Sequence, residues 1–247
     1  MRLAATVMLV RPAAPFEVFM LRRSETSHFV PDAYVFPGGT LSESDLSERA
    51  LARMRPDPQA AQLRAQPAPG LPSVPIASAR EAQGLLFAAL RELYEEAGVL
   101  LARDKTGAAV PSGSESRTDF LELLEMRDLY ADAEALTFFS QWLTPPQFSK
   151  RYNTHFFLAR APADAAAAAD AYETHDGLWI APADALSRNA ADELHLVYPT
   201  MKHLQRLARF NDFETLFEFA HAKPVLAITP NTIDGGFGLP PELEDAW

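Results

Sequence analysis

Apolar positions set the first expectations for this chain. Residues 3–10 and 16–22 are apolar runs of strand length separated by Pro12-Ala13-Ala14-Pro15, which predicts a hairpin. Residues 34–37 form a short apolar stretch that runs into two glycines. Leu86, Leu90, Leu93 and Ala97 then recur at four, three and four, the period of a helix face, so 81–97 is predicted helical. Gly98 follows where a left-handed glycine would end that helix. Residues 103–117 are polar and glycine-containing and read as a loop, whereas 118–132 carries apolar positions 120, 121, 124 and 129 and reads as a helix. Aromatic-rich strands are expected at 138–143 and 151–159, a loop over the alanine-rich 161–171, and a short strand at 178–180. Helices are expected at 183–189, 199–210 and 212–221, with a last strand at 224–229. Strands mixed with helices point to an α+β or three-layer arrangement.

One stretch departs from this regularity. Between 46 and 80 stand prolines 56, 58, 67, 69, 72 and 75, too many for a long helix or an interior strand. Leu46 to Met54 suits a short helix, 56–75 an extended surface loop, and helix resumes near Ala79. The segment carries Arg49, Arg53, Arg55, Arg64 and Arg80. Arginine suits phosphate geometry, so a substrate flap is one reading. The other, which the composition favours, is a solvated excursion kept soluble by charge.

Composition narrows the class. The chain has 247 residues, 48% hydrophobic and 22% charged, enough for one substantial core. With no cysteine, disulfides and thiolate metal sites are excluded. The net charge of −11 argues against a general nucleic-acid binder. The apolar start is too short to span a bilayer and reads as a strand, so no membrane association and a cytoplasmic location are expected.

The candidate chemistry lies on the predicted helix. Glu92, Glu95 and Glu96 stand at i, i+3 and i+4 and share one face. Like charges so spaced repel, by a few tenths of a kcal/mol per pair. A chain that keeps them suggests a cation site, and oxygen-only donors favour Mg²⁺ or Mn²⁺. Arg91 is placed to pair with Glu95. Upstream, Pro37-Gly38-Gly39 lets backbone approach a ligand closely.

Together, Gly39 and the run Arg91-Glu92-Leu93-Tyr94-Glu95-Glu96-Ala97-Gly98-Val99 resemble the Nudix box, G-x5-E-x7-R-E-U-x-E-E-x-G-U. Two departures stand out. Asp45 occupies the place of the first glutamate, and 45 residues lie between it and Arg91 where the pattern has 7. The resemblance implies the Nudix α/β/α sandwich with a mixed sheet. It would form a single domain over 1–247, with a Pro-rich insertion at 46–80 and a helical C-terminal extension at 190–247. It implies metal-dependent hydrolysis of a nucleoside diphosphate linked to another group. Glu92, Glu95 and Glu96 would be metal ligands and Arg91 would hold them. Gly38 and Gly39 would complete the metal and phosphate environment. Asp45, by a weaker or water-mediated contact, and Glu173 are possible further carboxylates. His155 and His175 are possible polar contacts in the cleft but stand outside the catalytic set.

Arg23-Ser24 and Phe36 to Gly39 fall at the spacing of a motif of CoA diphosphatases in this family, although His28 and Asp32 depart from it. The chain is more similar to peroxisomal-type (acyl-)CoA diphosphatases with a long insertion in the box. The similarity runs through Phe139 to Pro145, Phe156 to Leu158, Trp179 and the stretch Arg206 to Phe210. It implies CoA or acyl-CoA as substrate, with Arg22 and Arg23 near its 3′-phosphate, and is compatible with a homodimer. ADP-ribose, NADH or a dinucleoside polyphosphate are the alternative substrates, and a non-catalytic ligand-sensing module is the reading from another class.

Overall fold

A computed structural model describes residues 1–24, 32–55, 63–68, 74–112, 118–165, 177–233, 236–244 and 247. The chain opens with β1 (Arg2–Arg11) and β2 (Glu17–Arg22), the expected hairpin, followed by the short β3 (Tyr34–Val35) and β4 (Gly38–Thr40). A 3-10 turn at Ser44–Leu46 leads to α1 (Glu48–Ala52), whose first turn is capped by Ser47. β5 (Met54–Arg55) and β6 (Gln66–Pro67) follow, and then the long α2 (Ala79–Ala97). After β7 (Ala102–Arg103), α3 (Phe120–Met126) and β8 (Tyr130–Asp132) come the two long strands β9 (Leu136–Leu143) and β10 (Tyr152–Arg160). β11 (Gly177–Ile180), α4 (Pro182–Ala190), α5 (Tyr198–Leu207), α6 (Phe213–Ala222), β12 (Leu226–Ile228), β13 (Asn231–Ile233) and β14 (Gly236–Gly238) complete the described elements.

Nine strands among the described residues form one mixed sheet, in the order β11-β2-β1-β10-β9-β12-β6, with β3 on β2 and β4 on β1. β1 runs parallel to β10 and antiparallel to β2 and β4. Strand alternation sends Ala5, Val7 and Leu9 to one face, under α2 and α3, and Met8 and Val10 to the other, under α4 to α6. The result is a sheet covered on both faces, an α+β sandwich.

Three expectations are corrected. The pattern over 118–132 gives a helix only as far as Met126, because Tyr130–Asp132 is drawn into a small sheet between β5 and β7. The segment after residue 190 is not helical throughout: besides β12, which falls within the strand expected at 224–229 and joins the main sheet beside β9, β13 and β14 pair with each other. The proline-rich stretch also contributes a strand, since β6 pairs with β12 at the sheet edge, where proline is tolerated.

Candidate active site

The glutamate face sits on a well-specified helix. Ser78 and Glu81 form a capping box at the start of α2, and Gly98 closes its end in the left-handed conformation at φ 66°. Leu86, Leu90, Leu93 and Ala97 are all buried against the sheet. Gly84 lies mid-helix, where it costs helix propensity. A side chain there would begin 2.6 Å from Leu46 and 2.9 Å from Leu41, so glycine lets the 3-10 turn lie against the helix. That contact brings Asp45 to Arg91 across the whole insertion.

Asp45 is fully buried. It accepts from Arg91 Nε at 2.7 Å and Nη2 at 3.1 Å, and from the Ser42 amide and hydroxyl at 2.8 and 2.7 Å. Both carboxylate oxygens are therefore engaged. Asp45 makes a positioning contact with Arg91. Arg91 Nη1 turns the other way, to Glu92 at 2.9 Å and Glu95 at 2.8 Å. Burial opposes the Arg91 charge, but the Asp45 hydrogen bond and the surrounding carboxylates outweigh it and raise its pKa further. Arg91 is a permanently charged pin through three acidic side chains.

The glycine strand faces the same helix. Gly38 pairs with Thr6 and Gly39 with Ala5 in β1. The Gly38 amide donates to Glu96 Oε2 at 2.8 Å. Gly38 has φ 158°, and a Cβ there would stand 2.4 Å from the Ala5 carbonyl oxygen, so only glycine fits. A Cβ on Gly39 would fall 2.1 Å from Glu92 Oε1, which places the Glu92 carboxylate directly on the glycine backbone. The structure thus gathers Gly38, Gly39, Asp45, Arg91, Glu92, Glu95 and Glu96 in one place.

Burial is the largest influence on two of these acids. It pushes the Glu96 carboxyl up to about 7, against the opposing Gly38 hydrogen bond and the nearby positive charge of Arg23. It also raises Glu92, with Arg91 pulling the other way. Among the described residues no three His, Cys, Asp or Glu side chains already converge as a cation cage. Arg91 draws Glu92 and Glu95 to itself, while Glu96 turns to Gly38. The donor set still suits a hard divalent ion: all donors are oxygens, and two are desolvated carboxyls whose ionised form a cation would stabilise.

The other named residues divide. Arg22 pairs with Asp32 at 3.0 Å, and Arg23 lies close enough to Glu96 to lower its pKa. Of the insertion arginines, Arg49 pairs with Glu125, Arg53 with Asp128, and Arg80 donates to the Leu46 carbonyl. Arg55 stacks on Tyr130. These contacts tie the insertion to α3, β8 and the 3-10 turn. His155 is buried in β10 and stacked on Phe138, and burial lowers its pKa to about 4, which keeps it neutral. Glu173 and His175 lie outside the described residues. Sequence reasoning missed Ser42 and Gly84. A glycine inside an otherwise strong helix was the readable signal for the second.

Comparison with known proteins agrees with this geometry. Residues 1–207 match the NUDT19 Nudix domain. The acyl-coenzyme A diphosphatase NUDT19 of Homo sapiens is 31% identical over 242 residues, covering 84% of this chain and 64% of that protein. The present chain thus spans less than two thirds of the human relative. The Gallus gallus protein of the same name is 30% identical, covering 92% of this chain and 71% of its own length. A crystal structure of a NUDIX hydrolase from Alicyclobacillus acidocaldarius superposes with a TM-score of 0.66 at 27% identity, covering 88% of this chain and 96% of the other. No helix among the described residues is long and apolar enough to cross a membrane. A split box whose two halves meet at Gly38, Asp45 and Glu96, together with this family match over most of the chain, makes it a member of the Nudix family in its NUDT19 branch.

Proposed function

We propose that this chain hydrolyses the diphosphate of CoA or an acyl-CoA, giving 3′,5′-ADP and (acyl-)4′-phosphopantetheine, with Mg²⁺ or Mn²⁺ as cofactor. The observation that carries the reading is the Gly38–Glu96 contact, which joins the glycine strand to the acidic helix face. The relatives named for acyl-CoA diphosphatase activity support the choice of substrate.

Glu92, Glu95 and Glu96 would hold the cation. When bound, it offsets diphosphate charge and acidifies a water. Gly38 fixes the direction of Glu96, and Asp45 fixes Arg91, which in turn holds Glu92 and Glu95. Glu92, poised on the Gly39 backbone with a raised pKa, suits proton acceptance from water. Arg23, beside Glu96, supplies positive charge to a substrate phosphate.

The test is a panel of diphosphates with Mg²⁺ or Mn²⁺: CoA, acyl-CoA, ADP-ribose, NADH and a dinucleoside polyphosphate. Release of 3′,5′-ADP from CoA compounds, with little cleavage of ADP-ribose, is the expected result. Preferred cleavage of ADP-ribose or NADH would reassign the substrate. Silence on every compound, with cation binding intact, would mark a ligand-sensing module.

A further inference from the structure

A cavity of about 660 Å³ opens on the sheet face opposite α2. Its walls include Trp142 and Phe156 from the sheet, Tyr198 and Met201 from α5, and Ile233 and Phe237 from the β13–β14 hairpin. Tyr198 packs on Phe237 at 5.7 Å and against the edge of Trp142 at 6.3 Å, so the hairpin forms one side of an aromatic slot. Ile233 is 55% exposed, an apolar side chain open to solvent.

Strand register sets the distance between the slot and the acidic site. Phe156 lies opposite Thr6, and Thr6 lies opposite Gly38. Two strand spacings put the Phe156 backbone about 10 Å from Gly38. A pantetheine arm leaving a diphosphate held at Gly38 and Glu96 covers that distance.

Charge decides which half of the substrate the slot accepts. No Lys, Arg, Asp or Glu is among its described lining residues. A 3′-phosphorylated nucleoside would bring its charge to walls with no cation, in a chain of net charge −11. Arg23 is near enough to Glu96 to pull its pKa down, so that positive charge belongs to the acidic site and not to the slot's lining. From this asymmetry we infer that the Trp142–Phe237 slot binds the acyl-pantetheine arm, and that Met201 and Phe237 set acyl-chain preference. The inference rests on the proposed CoA diphosphatase activity.

The experiment measures KM and kcat for CoA, acetyl-CoA and octanoyl-CoA in the wild type, Met201→Trp and Phe237→Ala. The expected result is a wild-type KM that falls on the order of tenfold from acetyl- to octanoyl-CoA, the gain from burying about two of the added methylenes. Met201→Trp narrows the slot and removes that gain, raising KM for octanoyl-CoA far more than for free CoA, which brings only its pantetheine arm, and Phe237→Ala weakens the gain. A wild-type KM independent of acyl length overturns the assignment. So does a Met201→Trp variant equally impaired on free CoA and octanoyl-CoA, because the acyl chain would then not be what Met201 reads. Calorimetric binding of octanoyl-pantetheine, which lacks the diphosphate, separates this inference from the activity. Binding by the wild type that Met201→Trp abolishes supports the slot even if CoA is not cleaved, and absence of binding overturns the slot even if CoA is cleaved.

Discussion

Asp45→Asn is the most informative substitution, because it is nearly isosteric and strikes a buried charge pair. Asp45 is fully buried and the Arg91 side chain is 15% exposed, so solvent screens the pair little. If the carboxamide oxygen takes the place of Oδ2, it keeps the Ser42 donors and Arg91 Nη2, but its NH₂ then faces the Nε–H of Arg91. If it flips, its NH₂ faces the Ser42 donors. Either way one charge-assisted bond becomes a donor–donor contact and Arg91 loses its buried counter-charge. Removing one partner of such a pair costs about 3 kcal/mol. For a chain of this size that corresponds to a fall in Tm of roughly 10 °C. The assay is urea unfolding of Asp45→Asn, Arg91→Met and the double variant. Residues in direct contact are expected to show a coupling energy of about 2 kcal/mol. A coupling below about 0.5 kcal/mol would refute the claim that Asp45 acts through Arg91. Turnover should fall as well, since Arg91 also steadies Glu92 and Glu95.

Other outcomes follow from the same contacts. Glu96→Gln keeps an acceptor for the Gly38 amide, so the fold should persist while turnover drops on the order of a thousandfold, measured as release of 3′,5′-ADP. Gly38→Ala places a methyl against the Ala5 carbonyl and should cost about 1–3 kcal/mol in thermal unfolding, with loss of activity. Arg49→Ala and Arg53→Ala should leave KM for CoA unchanged, because their partners Glu125 and Asp128 belong to the insertion's anchorage; a raised KM would revive the phosphate-flap reading. His203 is buried between Ser140 and the Pro199 carbonyl, and burial depresses its pKa to about 3, below the ordinary 6.5. The unfolded chain therefore binds the extra proton, and the stability is present above 6.5 and lost as pH falls from there toward 3. Unfolding at stepped pH should show this loss, and His203→Gln should flatten it.

Local patterns explain how much of this was readable in advance. The stripe of Leu86, Leu90, Leu93 and Ala97, ending in Gly98, specifies α2 completely, since both its period and its stop signal lie within the helix. The pairing of Arg91 with Glu95 was legible for the same reason, being one turn apart. The tie between Asp45 and Arg91 was not, because it spans the insertion and depends on Gly84 admitting Leu46. Tyr130–Asp132 was misread because pairing with β5 and β7 outweighs a helical pattern of only a few apolar residues. The β13–β14 hairpin escaped notice although Asp234-Gly235, a turn-forming dipeptide, stands between its strands in the sequence.

The edge where β6 and β12 meet has a practical consequence for anyone shortening this protein. Gln66 bonds to Val225 and Ala68 to Ala227, so the interrupting segment is stitched to the far end of the chain. Stopping at residue 207, the limit of the matched family region, would remove β12 and strip the flank of β9 bare. Raw strand edges of that kind recruit other molecules. A fragment stopped there should therefore clump.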